Sequence, residues 1–96
     1  MVYYSKKEYK LLSYEKSHRK NKMYNAVLQN KKTLKSVKVP FGDNKMENFR
    51  DATGLNLYPR LIHGDAKRRK NFRARHKGYL KDGYYSPSFF SYYILW

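Results

Sequence analysis

The 96-residue sequence predicts one small α+β domain: an antiparallel β-meander of two or three strands, packed by a basic helix and a short aromatic C-terminal helix. Three observations predict it. Two alternating apolar runs, 23–29 and 34–41, are separated by the polar turn Asn30-Lys31-Lys32-Thr33, which is the pattern of a β-hairpin. Asp65 stands as an N-cap before a basic stretch in which Phe72 and His76 recur at helical spacing. Ser86-Pro87 is a cap residue followed by proline at the first helical position. A chain of this length makes a single domain and buries only about 60–70 % of the surface it exposes when unfolded.

In chain order, Ser5-Lys6-Lys7-Glu8 has the spacing of a capping box. The following Tyr9-Lys10-Leu11-Leu12-Ser13-Tyr14 has no clear period and reads as a strand, with a short helix from Ser5 as the alternative. Residues 17–22 are polar and read as a loop. Met23 to Gln29 places Tyr24, Ala26 and Leu28 on one face and Met23 and Val27 on the other. In the run from Leu34 to Phe41, Val37, Val39 and Phe41 share a face opposite Ser36 and Lys38. Pro40 cannot donate to a ladder, so this strand ends there or lies at an edge, and Gly42 permits the turn out. In 43–64, Asp43 or Asn44 could cap a helical turn through Met46 and Phe49 that Gly54 would stop. Leu55, Leu57, Tyr58, Leu61 and Ile62 are apolar enough to lie on the core.

A helix is predicted from Ala66 to about Gly78. Phe72, His76, Tyr79 and Leu80 fall on an anchor side, Lys67, Lys70, Arg73, Arg75 and Lys77 on the remainder, with Arg68 and Arg69 at the borders. The final segment, Phe89-Phe90-Ser91-Tyr92-Tyr93-Ile94-Leu95-Trp96, is apolar nearly all round, so it is buried either in its own core or against another chain.

Charge narrows the function classes. Twenty-two Lys and Arg against seven Asp and Glu leave the chain at +15, and 18 % of it is aromatic. So positive a fold repels itself and calls for a counter-surface, while eleven tyrosines argue against a plain disordered polycation. The charge falls in two blocks. Residues 1–42, the hairpin region, hold eleven bases and two acids; residues 65–96 hold eight bases and two acids; the insert 43–64 is neutral. There is no cysteine, which excludes disulfides and thiolate metal sites. No run reaches the ~18–20 apolar residues of a membrane span, and the N-terminus lacks the order of a signal peptide.

The helix cations Lys67, Arg68, Arg69, Lys70, Arg73, Arg75 and Lys77 could hold phosphates, pair with an acidic protein surface or form a solvated face. Arg19, Lys20 and Lys22, followed by Lys31, Lys32, Lys35 and Lys38, surround strands that carry Tyr24, where base stacking is a minority reading beside ordinary strand formation. His63 and Asp65 are too few for a metal site, His76 reads as a hydrogen-bonded residue on the anchor face and Asp65 as a cap. No nucleophile elbow, phosphate-cradling glycine loop or paired carboxylate is present, so no enzyme and no cofactor is expected. The C-terminal segment offers Phe89, Phe90, Tyr93, Ile94 and Trp96 either as a docking patch for a partner or as a lid on the chain's own core.

The order Ser17…Arg19-Lys20-Asn21-Lys22-Met23-Tyr24, Val39…Phe41-Gly42, His63-Gly64-Asp65…Arg68-Arg69…Phe72-Arg73-Ala74-Arg75-His76-Lys77 and Ser91…Ile94-Leu95-Trp96 resembles a family of small basic proteins of unknown function. Large DNA viruses of algae and protists encode that family, with relatives in some phages. The RxRHK helix and the ILW carry the resemblance most specifically. It implies a viral origin and a place in the virion, reached after synthesis in the host cytoplasm or nucleus. The expected function is that of a non-enzymatic minor capsid or cement-like protein. Its partners would be larger capsid proteins or other acidic surfaces within a multi-protein assembly. The alternative is a sequence-nonspecific DNA- or RNA-binding protein of genome packaging or transcription.

Overall fold

The computed structural model describes residues 3–96, apart from the side chain of Tyr79. The chain forms a small α+β fold. Strand β1 (Tyr4–Ser5) is followed by β2 (Tyr9–Lys16), β3 (Lys22–Asn30) and β4 (Ser36–Asp43). Next come helix α1 (Ala66–His76), strand β5 (Tyr84–Tyr85) and helix α2 (Pro87–Phe90), which runs on as one wider turn through Ser91–Leu95.

β2, β3 and β4 make the expected antiparallel meander, in that spatial order. Tyr24 pairs with Phe41 and Ala26 with Val39, so the alternating apolar residues of both strands share one face. β2 pairs Leu11 with Leu28 and Ser13 with Val27, leaving Leu12 as an extra residue. This bulge is why the segment shows no period in the sequence: it puts Leu11 and Tyr14, three apart, on the same side of the sheet. β4 runs through Pro40 to Asp43 as an edge strand, where proline's missing donor is tolerated.

No helix starts at Ser5. β1 pairs with β5 instead, Tyr4 opposite Tyr85, and the Ser5 hydroxyl accepts from the Lys7 N–H within a turn. The capping-box spacing is present, but no apolar periodic run follows it to repay helix nucleation.

The other half of the core comes from the C-terminal segment. Phe90, Leu95 and Trp96 are buried against Met23, Tyr24, Ala26, Leu28, Val39 and Phe41. Phe41 and Phe90 lie 5.3 Å apart, and Tyr14 meets both rings edge-on. The Ser86 hydroxyl accepts from the Phe89 N–H, and Pro87 follows it, so the cap read from the sequence is in place. Gly42 sits where this segment crosses β4. Its φ is +76°, and a Cβ there would lie 2.8 Å from Leu95 Cδ1. Gly42 is therefore a close-approach residue as well as a turn residue.

The helical turn expected near Met46 and Phe49 is absent. Its backbone donors are used in tertiary bonds: the Asn48 N–H donates to the Leu61 carbonyl, and the Phe49 and Arg50 N–H groups both donate to the Leu95 carbonyl. Asp43 caps only a local turn, accepting from the Lys45 N–H at 2.8 Å. The Tyr24 hydroxyl donates to Asp51 and accepts from the Leu57 N–H at 3.1 Å, which ties the insert to the sheet. Tyr58 and Leu61 pack against the core as expected, whereas Leu55 and Leu57 are exposed. They flank a turn reached through Gly54 at φ +83° and Asn56 at +49°.

Candidate functional site

Helix α1 is where the chain concentrates charge without a core. Asp65 Oδ1 accepts from the Lys67 and Arg68 N–H groups at 3.0 and 3.2 Å, the cap the sequence predicts. The helix ends at His76, and one 3₁₀ turn, Lys77–Tyr79, carries on to about the expected stop. None of its eleven residues is buried. An isolated helix of this length is marginal in water, so its few attachments decide whether it forms.

Those attachments centre on Phe72. Its ring is stacked between His76, at 3.9 Å, and Trp96, at 4.1 Å. His76 Nδ1 donates to the Phe72 carbonyl at 2.9 Å, in keeping with the hydrogen-bonded role read from the sequence. On the same side, Arg69 Nε donates to the Trp96 main-chain oxygen at 2.8 Å, and its guanidinium lies 4.8 Å from the Phe49 ring. Arg73 lies 4.3 Å from the Tyr92 ring and donates to the same Trp96 oxygen at 3.3 Å. Leu80 is half-buried, and the Tyr79 side chain lies outside the described residues.

The seven helix cations thus divide. Arg69 and Arg73, expected at a polyanion, are turned inward and hold the helix on. With Phe72 and His76 they form an i, i+3, i+4, i+7 face, a signal the charge run conceals. Lys67, Arg68, Lys70, Arg75 and Lys77 stay exposed. Arg68 makes one loose ion pair with Glu47 at 3.7 Å, both side chains about half exposed. Such a pair contributes little. Among the described residues, none of Lys67, Lys70, Arg75 and Lys77 has an ion-pair partner.

The hairpin tip joins this surface. Arg19 and Lys20 are exposed in the β2–β3 turn, and Lys22 lines the same groove as Arg68 and Arg75. The groove holds about 1160 Å³, between α1 and the end of β4, over Phe72 and Trp96. Arg19, Lys20 and Lys22 of the first basic block therefore join the second block at one end of the molecule.

The expected docking patch is largely internal. Phe90 and Trp96 are buried in the chain's own core, and Phe89 and Ile94 are half-buried against it. Of that set only Tyr93 is exposed, at 44 %. A segment apolar all round has two solutions, and the open face of a three-stranded sheet supplies the intramolecular one.

His63 and Asp65 each accept from local backbone, Asp65 from Lys67 and Arg68 as the helix cap. His63 Nδ1 accepts from the Asp65 N–H at 2.8 Å while its ring packs 5.1 Å from Trp96. Among the described residues no group of three His, Cys, Asp or Glu could hold a metal ion, and no helix is long and apolar enough to cross a membrane. Comparison with protein-family models, curated proteins and solved structures gives no match to this chain.

Proposed function

We infer that this chain is a non-enzymatic polyanion-binding protein whose main ligand is the phosphate backbone of nucleic acid, taken up without sequence preference. One observation carries this reading: α1 and the turn that follows it expose Lys67, Arg68, Lys70, Arg75 and Lys77, and none of the helix's eleven residues is acidic. These long cationic side chains suit a phosphate lattice, where charge count matters more than a defined pocket. A protein interface needs apolar anchors at its centre, and the outer face of α1 has none. The resemblance to small basic proteins of large DNA viruses fits a place beside a packaged genome.

The test is duplex DNA binding by the purified protein across a salt series. Five phosphate contacts give a slope of log K against log salt of about −4.5. Neutralising Arg68 and Arg75 together lowers that slope by about 2 with the fold intact. Absence of binding at low salt overturns the reading.

A second reading, a cement-like contact with a larger capsid subunit, is favoured by Tyr93, the one exposed ring of the expected docking set. It predicts that Tyr93→Ala lowers incorporation into particles while leaving DNA binding unchanged. Incorporation at the parent level counts against it.

A further inference from the structure

The lysine-rich turn at the opposite end of the sheet is not used by the α1 surface. We propose that it is a second phosphate-binding site, and that the protein uses both ends of the sheet to cross-link two segments of nucleic acid. This rests on the reading of α1 as a phosphate-binding surface.

Lys31, Lys32 and Lys35 are exposed in the β3–β4 turn. The turn is held in shape rather than splayed. Asn30 Oδ1 accepts from the Lys32 and Thr33 N–H groups at 2.9 and 3.0 Å, and Leu34 closes it at φ +62°. Lys31 is anchored to the N-terminal segment, Nζ donating to the Lys6 carbonyl at 3.2 Å and its N–H to the Glu8 carbonyl at 2.9 Å. That contact brings Lys7 alongside, and Lys10 enters from β2 opposite Gln29. The acids in this neighbourhood are Glu8 and Asp82, the latter beside Gly83, whose carbonyl accepts from the Lys6 N–H at 2.9 Å, and with Lys81 next to Asp82 positive charge still dominates.

β3 runs from Lys22 at one basic end to Asn30 at the other. Its nine residues set the ends about 27 Å apart. The Debye length at physiological salt is about 8 Å, so the ends act on their ligands independently. The sheet face between them is not a cationic track. At its middle, Glu15 is paired with Lys38 at 2.9 Å and accepts from Asn25 at 3.0 Å, beside Val27. A single strand or duplex running from end to end would cross this neutral zone without gain. Two segments, one at each end, avoid it. The molecule is elongated, 41 × 27 × 21 Å, which leaves room to keep two polyanions apart.

The experiment mixes two short DNA duplexes, one bearing a donor dye and one an acceptor, and reads energy transfer between them as protein is added. Transfer should rise to a maximum near one protein per two duplexes and fall in excess protein, as each duplex acquires its own copy. Lys32→Glu with Lys35→Glu should abolish the transfer. Lys45→Glu with Arg60→Glu, an equal charge change away from that turn, should keep it. Affinity for a single labelled duplex should differ between the two variants by no more than about threefold. Equal transfer in both variants, or equal loss, overturns the proposal. Single-duplex binding without transfer in the parent protein also overturns it and leaves the α1 reading standing, whereas absence of single-duplex binding removes both.

Discussion

The ring of Phe72 lies flat on the ring of Trp96, centroids 4.1 Å apart and planes within 4°. That stack is the apolar attachment of a helix with no buried residue. Phe72→Ala should therefore free α1 while the sheet and the C-terminal segment stay packed. The expected result is a loss of helical circular dichroism and fast amide exchange confined to residues 66–76. Protection there equal to the parent's would show that the stack is not what holds the helix.

The arginines of α1 should separate into two classes. Arg69→Ala with Arg73→Ala removes two hydrogen bonds to the Trp96 oxygen and three cation–ring contacts, to Phe49, Tyr92 and Tyr93, and should lower stability by about 1–2 kcal/mol. Arg68→Ala with Arg75→Ala should change stability by less than about 0.5 kcal/mol and act on DNA affinity instead. Urea unfolding beside a salt series checks both halves.

Gly42→Ala should destabilise the fold by about 1–3 kcal/mol. The new Cβ would meet Leu95 Cδ1 at 2.8 Å and impose a side chain on a backbone at φ +76°. Gly64→Ala, at φ +64° with nothing near its Cβ position, separates the two costs, since it carries only the backbone one. Equal losses at both positions would show that the contact with Leu95 is not under pressure.

Tyr24 should titrate late. Burial, and then the hydrogen bond to Asp51, push its hydroxyl up to about 12 from the usual 10. Because the folded state holds this proton more tightly than the unfolded state, the stability so linked is complete below pH 10 and lost as pH rises toward 12. Absorbance titration of the phenolates should show a late component that Tyr24→Phe reduces, leaving the contribution of Tyr14, whose hydroxyl burial also pushes up. The same substitution should flatten the alkaline fall in stability.

Glu15 gives the opposite sign. Its hydrogen bond from Asn25, and then that from Lys38, hold its carboxyl below the usual carboxylate range. That contribution is present above the unfolded value and fades as pH falls through the folded one. Its exposure keeps the effect small, so Glu15→Gln should reduce the acid dependence slightly rather than abolish it.

Where local pattern decides structure, the sequence was legible. The alternation in β3 and β4, the Asp65 cap and the Ser86-Pro87 start are each set by neighbouring residues, and each appears in the fold. Where a distant partner decides, it was not. The insert uses the N–H groups of Phe49 and Arg50 to reach Leu95, far along the chain, so its capping residue never nucleates a helix. The bulge at Leu12 broke the period of β2. Arg69 and Arg73 looked like ligand-binding residues because nothing local marks an arginine that will lie over Phe49 or Tyr92. The C-terminal rings had two homes, and only the pairing of three strands into a face wide enough to receive them chose between the two.

The division of the core between β2–β4 and Phe90–Trp96 has a consequence for biogenesis. A ribosome completes the meander well before it makes the residues that shelter it. During that interval Tyr24, Leu28 and Phe41 have no lid, and long-range closure of this kind is slow. The dense lysines on the nascent hairpin then carry like charge on every unfinished copy, and that repulsion opposes contact between two uncovered sheets.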